Sequence, residues 1–302
     1  DTTIFDVTSS DPATPIYGAF TEGAAVLSNE VVQRWIQEAT IVVDIVWIID
    51  NSGSMMPFQN LLGQNMADFM MVFLSYTPDF QMAFITTDNP NFVNTPIDAR
   101  TANPIDDAIA AIDSIGIGGS GWEKGLQMLE DCMISGDCTQ WMRPNAKLIA
   151  IFLSDEPDHS TSTPNYFINS FDALKPDAFV PFAIIGDPPQ GCPGQSGWST
   201  QPGWGYYDLV QHYGSQWFSI CDGDWGAQLE SLAQNISVKT IFEIESEDPH
   251  VDTLRVWING QQTTEGWLYD EEQNAVVFEF EYAPEPGDTV EIGYSSWGCG
   301  EE

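Results

Sequence analysis

The chemistry most legible in this chain sits in one short run, Asp50-Asn51-Ser52-Gly53-Ser54. One carboxylate and two hydroxyls at alternating positions offer three hard oxygen donors. Such donors suit Mg²⁺, Ca²⁺ or Mn²⁺ rather than zinc or copper. A single local carboxylate cannot neutralise a divalent ion, so further donors must come from other loops and from an outside carboxylate. The competing explanation is an ordinary Ser/Asn/Gly turn that caps a helix. A second cluster, Ser154-Asp155-Glu156-Pro157-Asp158-His159, places three carboxylates in four positions. Serine, aspartate and histidine together also invite a hydrolase reading. Ser154 lacks the G-x-S-x-G elbow and the chain holds only three histidines, so no enzyme is expected.

The elements around these residues explain why the run could form a site. Val43 to Ile49 is almost wholly apolar and has the length of a strand buried on both faces of a parallel sheet. In open α/β sheets ligands sit at the carboxyl ends of such strands. Helical spacing follows over Phe58–Tyr76, then a strand over Phe80–Asp88, a loop over Asn89–Asn103 and a helix over Pro104–Ile115. A glycine-rich turn covers Gly116–Gly125. Lys147–Asp155 is a third apolar strand ending in a carboxylate, and Ala178–Ile185 is a fourth. After the long Gly186–Gly203 loop come a helix (Trp204–Tyr213), a short strand (Gln216–Ile220) and a last helix (Trp225–Asn235). The alternation predicts an α/β fold with a doubly wound, mostly parallel sheet and right-handed crossovers.

Asp50, Ser52 and Ser54, ending a buried strand and opening a helix, resemble the Asp-x-Ser-x-Ser signature of von Willebrand factor A (vWA) domains. In that family the signature forms the metal-ion-dependent adhesion site, MIDAS. The resemblance covers about residues 41–235. It implies that Ser120 stands where the family has a threonine in its second loop, and that Asp155 is the third-loop aspartate, usually acting through water. Glu156 replaces the usual glycine there. The site so implied is Asp50, Ser52, Ser54, Ser120 and Asp155 around a divalent cation (Mg²⁺, Ca²⁺ or Mn²⁺). An open position on the ion would take an acidic side chain of a partner protein. Asp88, Glu156 and Asp158 exceed what one such site needs. They are read either as a second cation site or rim, or as solvated loop charges.

Composition narrows the partners. Eight basic residues face 45 acidic ones, a net charge of −37. Phosphate binding needs a basic patch, so nucleic acid is excluded, and anionic lipid is disfavoured. The acidity suits high salt, the collection of divalent cations, or a basic partner. No apolar run reaches the roughly 20 residues of a membrane helix, so no membrane insertion is expected. No leader precedes Asp1, and the expectation is a mature or trimmed product. Of five cysteines, Cys132–Cys138 and Cys192–Cys221 are the candidate disulfides, with Cys299 left over; the alternative is five free thiols. Loop cysteines in so acidic a chain point to an oxidising, extracellular setting.

From about Val238 the period changes to two. Segments near 240–245, 253–258, 266–269, 275–280 and 289–294 alternate between turns such as Asn259-Gly260. They predict a smaller all-β, sandwich-like domain, similar to modules that follow vWA units in secreted bacterial surface proteins. The expected organisation is an N-terminal arm (1–40, with Val26–Ile36 a strand or short helix), a vWA domain (41–236) and a β domain (237–302). The functional expectation is an extracellular, metal-dependent adhesion or protein-binding module on a bacterial surface, from a marine or high-salt setting. A structural subunit of a surface assembly, linked through the arm and the β domain, is the alternative. The 11 tryptophans raise carbohydrate binding as a third.

Overall fold

A computed structural model describes residues 4–7, 16–19, 26–37, 42–77, 79–176, 178–193, 199–237, 240–246, 248–271, 273–278, 282–285 and 287–298. Cys299 lies outside these described residues. The chain divides into two compact units, Thr40–Ser237 and a second made of Asp1–Ala39 with Val238–Glu302.

In the first unit, numbered here in its own chain order, the strands are β1 (Val42–Ile49), β2 (Asp79–Thr86), β3 (Ile97–Asp98), β4 (Lys147–Ser154), β5 (Phe179–Ile185) and β6 (Trp217–Ser219). The helices are α1 (Met56–Tyr76), α2 (Pro104–Ile115), α3 (Gly125–Ile134), α4 (Cys138–Trp141), α5 (Pro164–Leu174), α6 (Tyr206–His212) and α7 (Trp225–Ser237). The sheet order is β6-β5-β4-β1-β2-β3, parallel throughout except for the short β3. The strand order reverses between β1 and β4, so their carboxyl ends diverge into a crevice where an open α/β sheet binds its ligand.

Period-two alternation along β1 divides the core. Val43, Ile45, Trp47 and Ile49 pack with α1, α2 and α7, while Val46 and Ile48 pack with α3, α5 and α6. Trp47 meets Phe69 edge-on at 5.4 Å and stacks with Phe84 at 6.2 Å. Both faces are therefore covered, which is why β1 reads as an unbroken apolar run.

Asp44 interrupts that run and is fully buried. Arg143 compensates it: its Nε lies 2.7 Å from Asp44 Oδ1 and its backbone N–H donates to Oδ2. The same guanidinium reaches Asp79 and the Val43 carbonyl, and Lys175 Nζ donates to the Arg143 carbonyl at 2.6 Å. Burial still holds the Asp44 carboxyl above its ordinary range, against the opposing pull of Arg143.

The described residues of the second unit form two larger antiparallel sheets and one two-stranded pair. Four strands run in the order Gln261–Thr263, Pro249–Ile258, Thr289–Gly298, Val26–Ile36, and three in the order Ile241–Glu243, Ala275–Phe278, Trp267–Asp270. Phe242, Ile244, Val256, Val276, Phe278, Val290, Ile292 and Tyr294 form its core, with Trp35 against Phe242 at 5.5 Å. Asn259 and Gly260 both have positive φ (51° and 76°), the backbone that a two-residue hairpin turn requires. Val26–Ile36 is a strand, paired along its length with Thr289–Gly298. A short hairpin, Ile4–Val7 with Ile16–Ala19, precedes it.

Removing Arg143 would leave Asp44 buried and unpaired. Arg143→Ala is expected to cost about 3–5 kcal/mol in chemical denaturation. Adding Asp44→Asn should recover part of that loss; no recovery would mean that Arg143 acts through packing alone.

Candidate metal centre

β1 ends at Ile49, and Asp50 follows at the crevice, fully buried. Its Oδ1 accepts the Ser52 N–H at 2.7 Å and its Oδ2 accepts the Ser154 hydroxyl at 2.7 Å. One carboxylate thus ties the loop after β1 to the end of β4. Gly53–Met55 forms a single 3₁₀ turn into α1, with Pro57 in the first turn of that helix. The turn brings the Ser52 and Ser54 hydroxyls within 3.0 Å of each other, and Ser54 Oγ donates to Asp155 Oδ1 at 3.1 Å. Asp50, Ser52, Ser54 and Asp155 therefore meet in one cradle.

The glycine-rich second loop lies against the first. Gly119 N–H donates to the Asn51 carbonyl at 2.8 Å. A Cβ on Gly119 would stand 2.3 Å from Asn51 Oδ1 and 2.6 Å from Asp88 Oδ2, so a larger residue there would displace those two side chains. Ser120 N–H donates to Asp88 Oδ2 at 2.7 Å, while its hydroxyl accepts the Trp122 N–H at 3.0 Å. Ser120 thus joins the site through Asp88, with its hydroxyl engaged inside its own loop. Gln59 Nε2 donates to the carbonyls of Asp50 and Gly116, pinning the first loop to the start of the second.

The structure adds a residue that the sequence reading did not single out. Glu123 is fully buried beside Asp50, with Oε2 accepting the Thr87 hydroxyl at 2.7 Å. Its only signal in the sequence is an acidic side chain within a glycine-rich turn. No periodicity there distinguishes inward from outward.

The remaining acidic residues hold the loops. Asp158 accepts the Leu126 N–H at the start of α3 and both the N–H and the hydroxyl of Ser160. Glu156 lies 3.9 Å from His159. The long 186–203 loop braces the third site loop: Gln201 N–H donates to the Asp155 carbonyl, and Asp158 N–H donates to the Trp204 carbonyl. A disulfide, Cys192–Cys221, fastens that long loop, and a second, Cys132–Cys138, joins α3 to α4. Among the described residues no three His, Cys, Asp or Glu side chains form a metal-ligating group. The convergent donors are instead two hydroxyls and two carboxylates.

Crowding shifts these carboxyls. Burial, partly offset by the Ser52 and Ser154 donors, raises Asp50. Burial, then the Asp50 charge, pushes Asp155 up to about 6. Burial, then the same charge, pushes Glu123 up to about 8. No basic side chain figures among the causes on any of the three. Hard oxygens with excess negative charge and no basic counter-charge suit a hard divalent cation.

No protein-family model matches the chain, and no curated protein does. Among solved structures it is similar to a von Willebrand factor type A protein from Catenulispora acidiphila, at 12% identity and a TM-score of 0.48, over 93% of this chain and 68% of that one. It is similar to the pilus adhesin SpaC from Lactobacillus rhamnosus GG at 13% identity and 0.44, over 90% and 42%. It is also similar to proximal thread matrix protein 1 from the mussel byssus, in a form with a zinc-occupied MIDAS motif, at 18% and 0.44, over 70% and 49%. The chain spans under half the length of the adhesin and of the byssus protein.

Raised carboxyl pKa values have a signed consequence. A carboxyl raised by folding contributes stability below its unfolded pKa and loses it as pH rises through the folded value. For Asp155 that window runs from 3.8 to about 6, and for Glu123 from 4.5 to about 8. In EDTA the melting temperature is expected to fall from pH 5 to pH 8.5, less steeply in Glu123→Gln, and Ca²⁺ should restore it at pH 8.5. Equal slopes for the two proteins in EDTA would contradict the crowding.

Proposed function

We propose that the α/β unit is a cation-dependent protein-binding module, in which a divalent cation held by Asp50, Ser52, Ser54 and Asp155 captures a carboxylate of a partner. The carrying observation is the convergence of two hydroxyls and two carboxylates from two adjacent strand ends, with no Lys or Arg among the described residues paired to them. Mg²⁺, Ca²⁺ or Mn²⁺ would fit this donor set, and a bound ion would supply an electropositive point to an acidic ligand. Ser120 and Asp88 set the second loop at the rim. Ser154 and the Ser52 N–H orient Asp50. Exposed apolar side chains on the site loops, Met56 (52%), Ile117 (44%) and Trp122 (66%), offer the contact area that a charge pair alone lacks. His159 meets the Trp122 ring at 5.0 Å. An extracellular location fits the two disulfides.

A second reading, a subunit of an assembly, is favoured by one feature of the β unit. Val26–Ile36 lies at the edge of its sheet, and Val32 and Ile36 on it are exposed. A long edge strand is a template for strand addition by a neighbour.

Peptide display panned on the immobilised chain in Ca²⁺ should enrich acidic sequences that EDTA releases. Asp50→Ala, with an unchanged circular-dichroism spectrum, should recover none. Binders that persist in EDTA or on Asp50→Ala would sink the reading. Higher-order species in size exclusion that do not depend on Ca²⁺ would favour the assembly.

A further inference from the structure

The two disulfides sit in different surroundings. Cys132 and Cys138 are fully buried in the core. Cys192 and Cys221 are half-buried, and their bridge spans 29 residues of sequence against 6 for the other pair. An accessible disulfide is open to attack by a thiolate, and one that closes a longer loop constrains more chain.

The half-buried bridge fastens the loop that grips the third site loop. Cys192–Pro193 pairs antiparallel with Ser199–Thr200. The buried Thr200 hydroxyl accepts the Cys192 N–H at 3.1 Å and donates to the Cys192 carbonyl at 2.9 Å. The next N–H along, that of Gln201, donates to the Asp155 carbonyl at 2.8 Å. Cys221, at the other end of the bridge, lies between β6 and α7, whose Phe218 and Trp225 are buried in the core. The bridge thus ties the Asp155 backbone to the core through Gln201, Thr200 and Cys192. The same Thr200 hydroxyl lies 3.0 Å from Cys192 Sγ and 3.5 Å from Cys221 Sγ. It is placed to donate to whichever sulfur becomes a thiolate.

We propose that Cys192–Cys221 is a redox latch on the cation centre: its reduction by a thiol frees the 186–203 loop from the Asp155 backbone and lowers cation affinity, an effect that rests on the cation-binding role proposed for the cradle. The thiolate of a dithiol attacks one sulfur, the S–S bond breaks, and the other sulfur leaves as a thiolate and takes up a proton. The second thiol of the reagent then resolves the mixed disulfide, so the chain gains two thiols and the dithiol is oxidised to its own disulfide. Without the bridge, the Thr200 bonds and the two-residue strand pair hold the loop with less constraint, and it opens as a local unit. The Ser52 and Ser154 bonds to Asp50 lie outside the latch, so the cradle loosens while the fold stays.

The test is mild reduction of the intact chain with dithiothreitol, after alkylation of any thiols present at the start. Mass spectrometry of newly alkylated peptides should show Cys192 and Cys221 released before Cys132 and Cys138. Hydrogen exchange followed by NMR should then quicken at the Gly191, Gln201 and Gly203 amides and not in β1 or β4. Calorimetric titration should show Ca²⁺ affinity weakened about fivefold or more. Oxidised glutathione should restore it. Cys192→Ser combined with Cys221→Ser should match the reduced chain and ignore dithiothreitol. Equal Ca²⁺ affinity in the oxidised, reduced and double-serine chains, with none in Asp50→Ala, would overturn the regulation. Unchanged exchange at Gln201 on reduction would overturn the latch, whether or not Ca²⁺ binds. Loss of the circular-dichroism spectrum on reduction would make the bridge a staple of the whole fold and overturn it also. An oxidised chain that binds no Ca²⁺ would overturn the cation reading and with it the effect on affinity, leaving exchange at Gln201 to decide the latch.

Discussion

Asp50 is the constraint on which the rest of the α/β unit turns. It is a carboxylate with no exposed surface, at the end of the central strand, and it has to be satisfied where it stands. Its two oxygens do so by drawing a backbone N–H from its own loop and a hydroxyl from the end of the neighbouring strand. These two bonds fix the first and third loops against each other. The carboxyl stays desolvated, and burial together with its charge raises Asp155 and Glu123 in turn. Such a cluster is costly in an empty fold and favourable around a divalent ion.

The sheet explains how so much charge can be gathered at one point. With β4 and β2 on either side of β1, the turns after all three strands open at the same edge. Apolar helices cover both faces below, so the polar ends are held on a rigid platform rather than on a flexible loop. At the opposite end of the sheet the problem is solved in another way. Asp44, equally buried, has Arg143 as a resident counter-charge. The contrast is informative. Where the chain needs a closed structural charge pair it supplies its own cation, whereas among the described residues the carboxylates at the crevice have no such ion pair with Lys or Arg.

The loops beyond the cradle are positioning devices. Asp158 anchors the third loop to the start of α3, Asp88 anchors the second loop through Ser120, and the long disulfide-bonded loop grips the Asp155 and Asp158 backbone. In sequence these carboxylates look like one acidic excess. In space they divide into those that face the cradle and those that fasten loops.

Much of this was legible in the residue order. The apolar run closed by Asp50, the alternating Ser52 and Ser54, the strand ending at Asp155 and the change to period two near Val238 are local patterns, and local patterns follow from the geometry of single strands and helices. The candidate disulfide partners also followed from neighbouring loop context. Tertiary structure alone decided the rest. The burial of Glu123 depends on how a glycine-rich turn folds over Asp50, and no periodicity encodes that. The pairing of Val26–Ile36 with Thr289–Gly298 joins segments more than 250 residues apart. Which oxygen of Asp158 meets which N–H is set by the approach of α3 to the third loop. Contacts of this kind are fixed by the packing of whole elements, which composition and spacing do not contain.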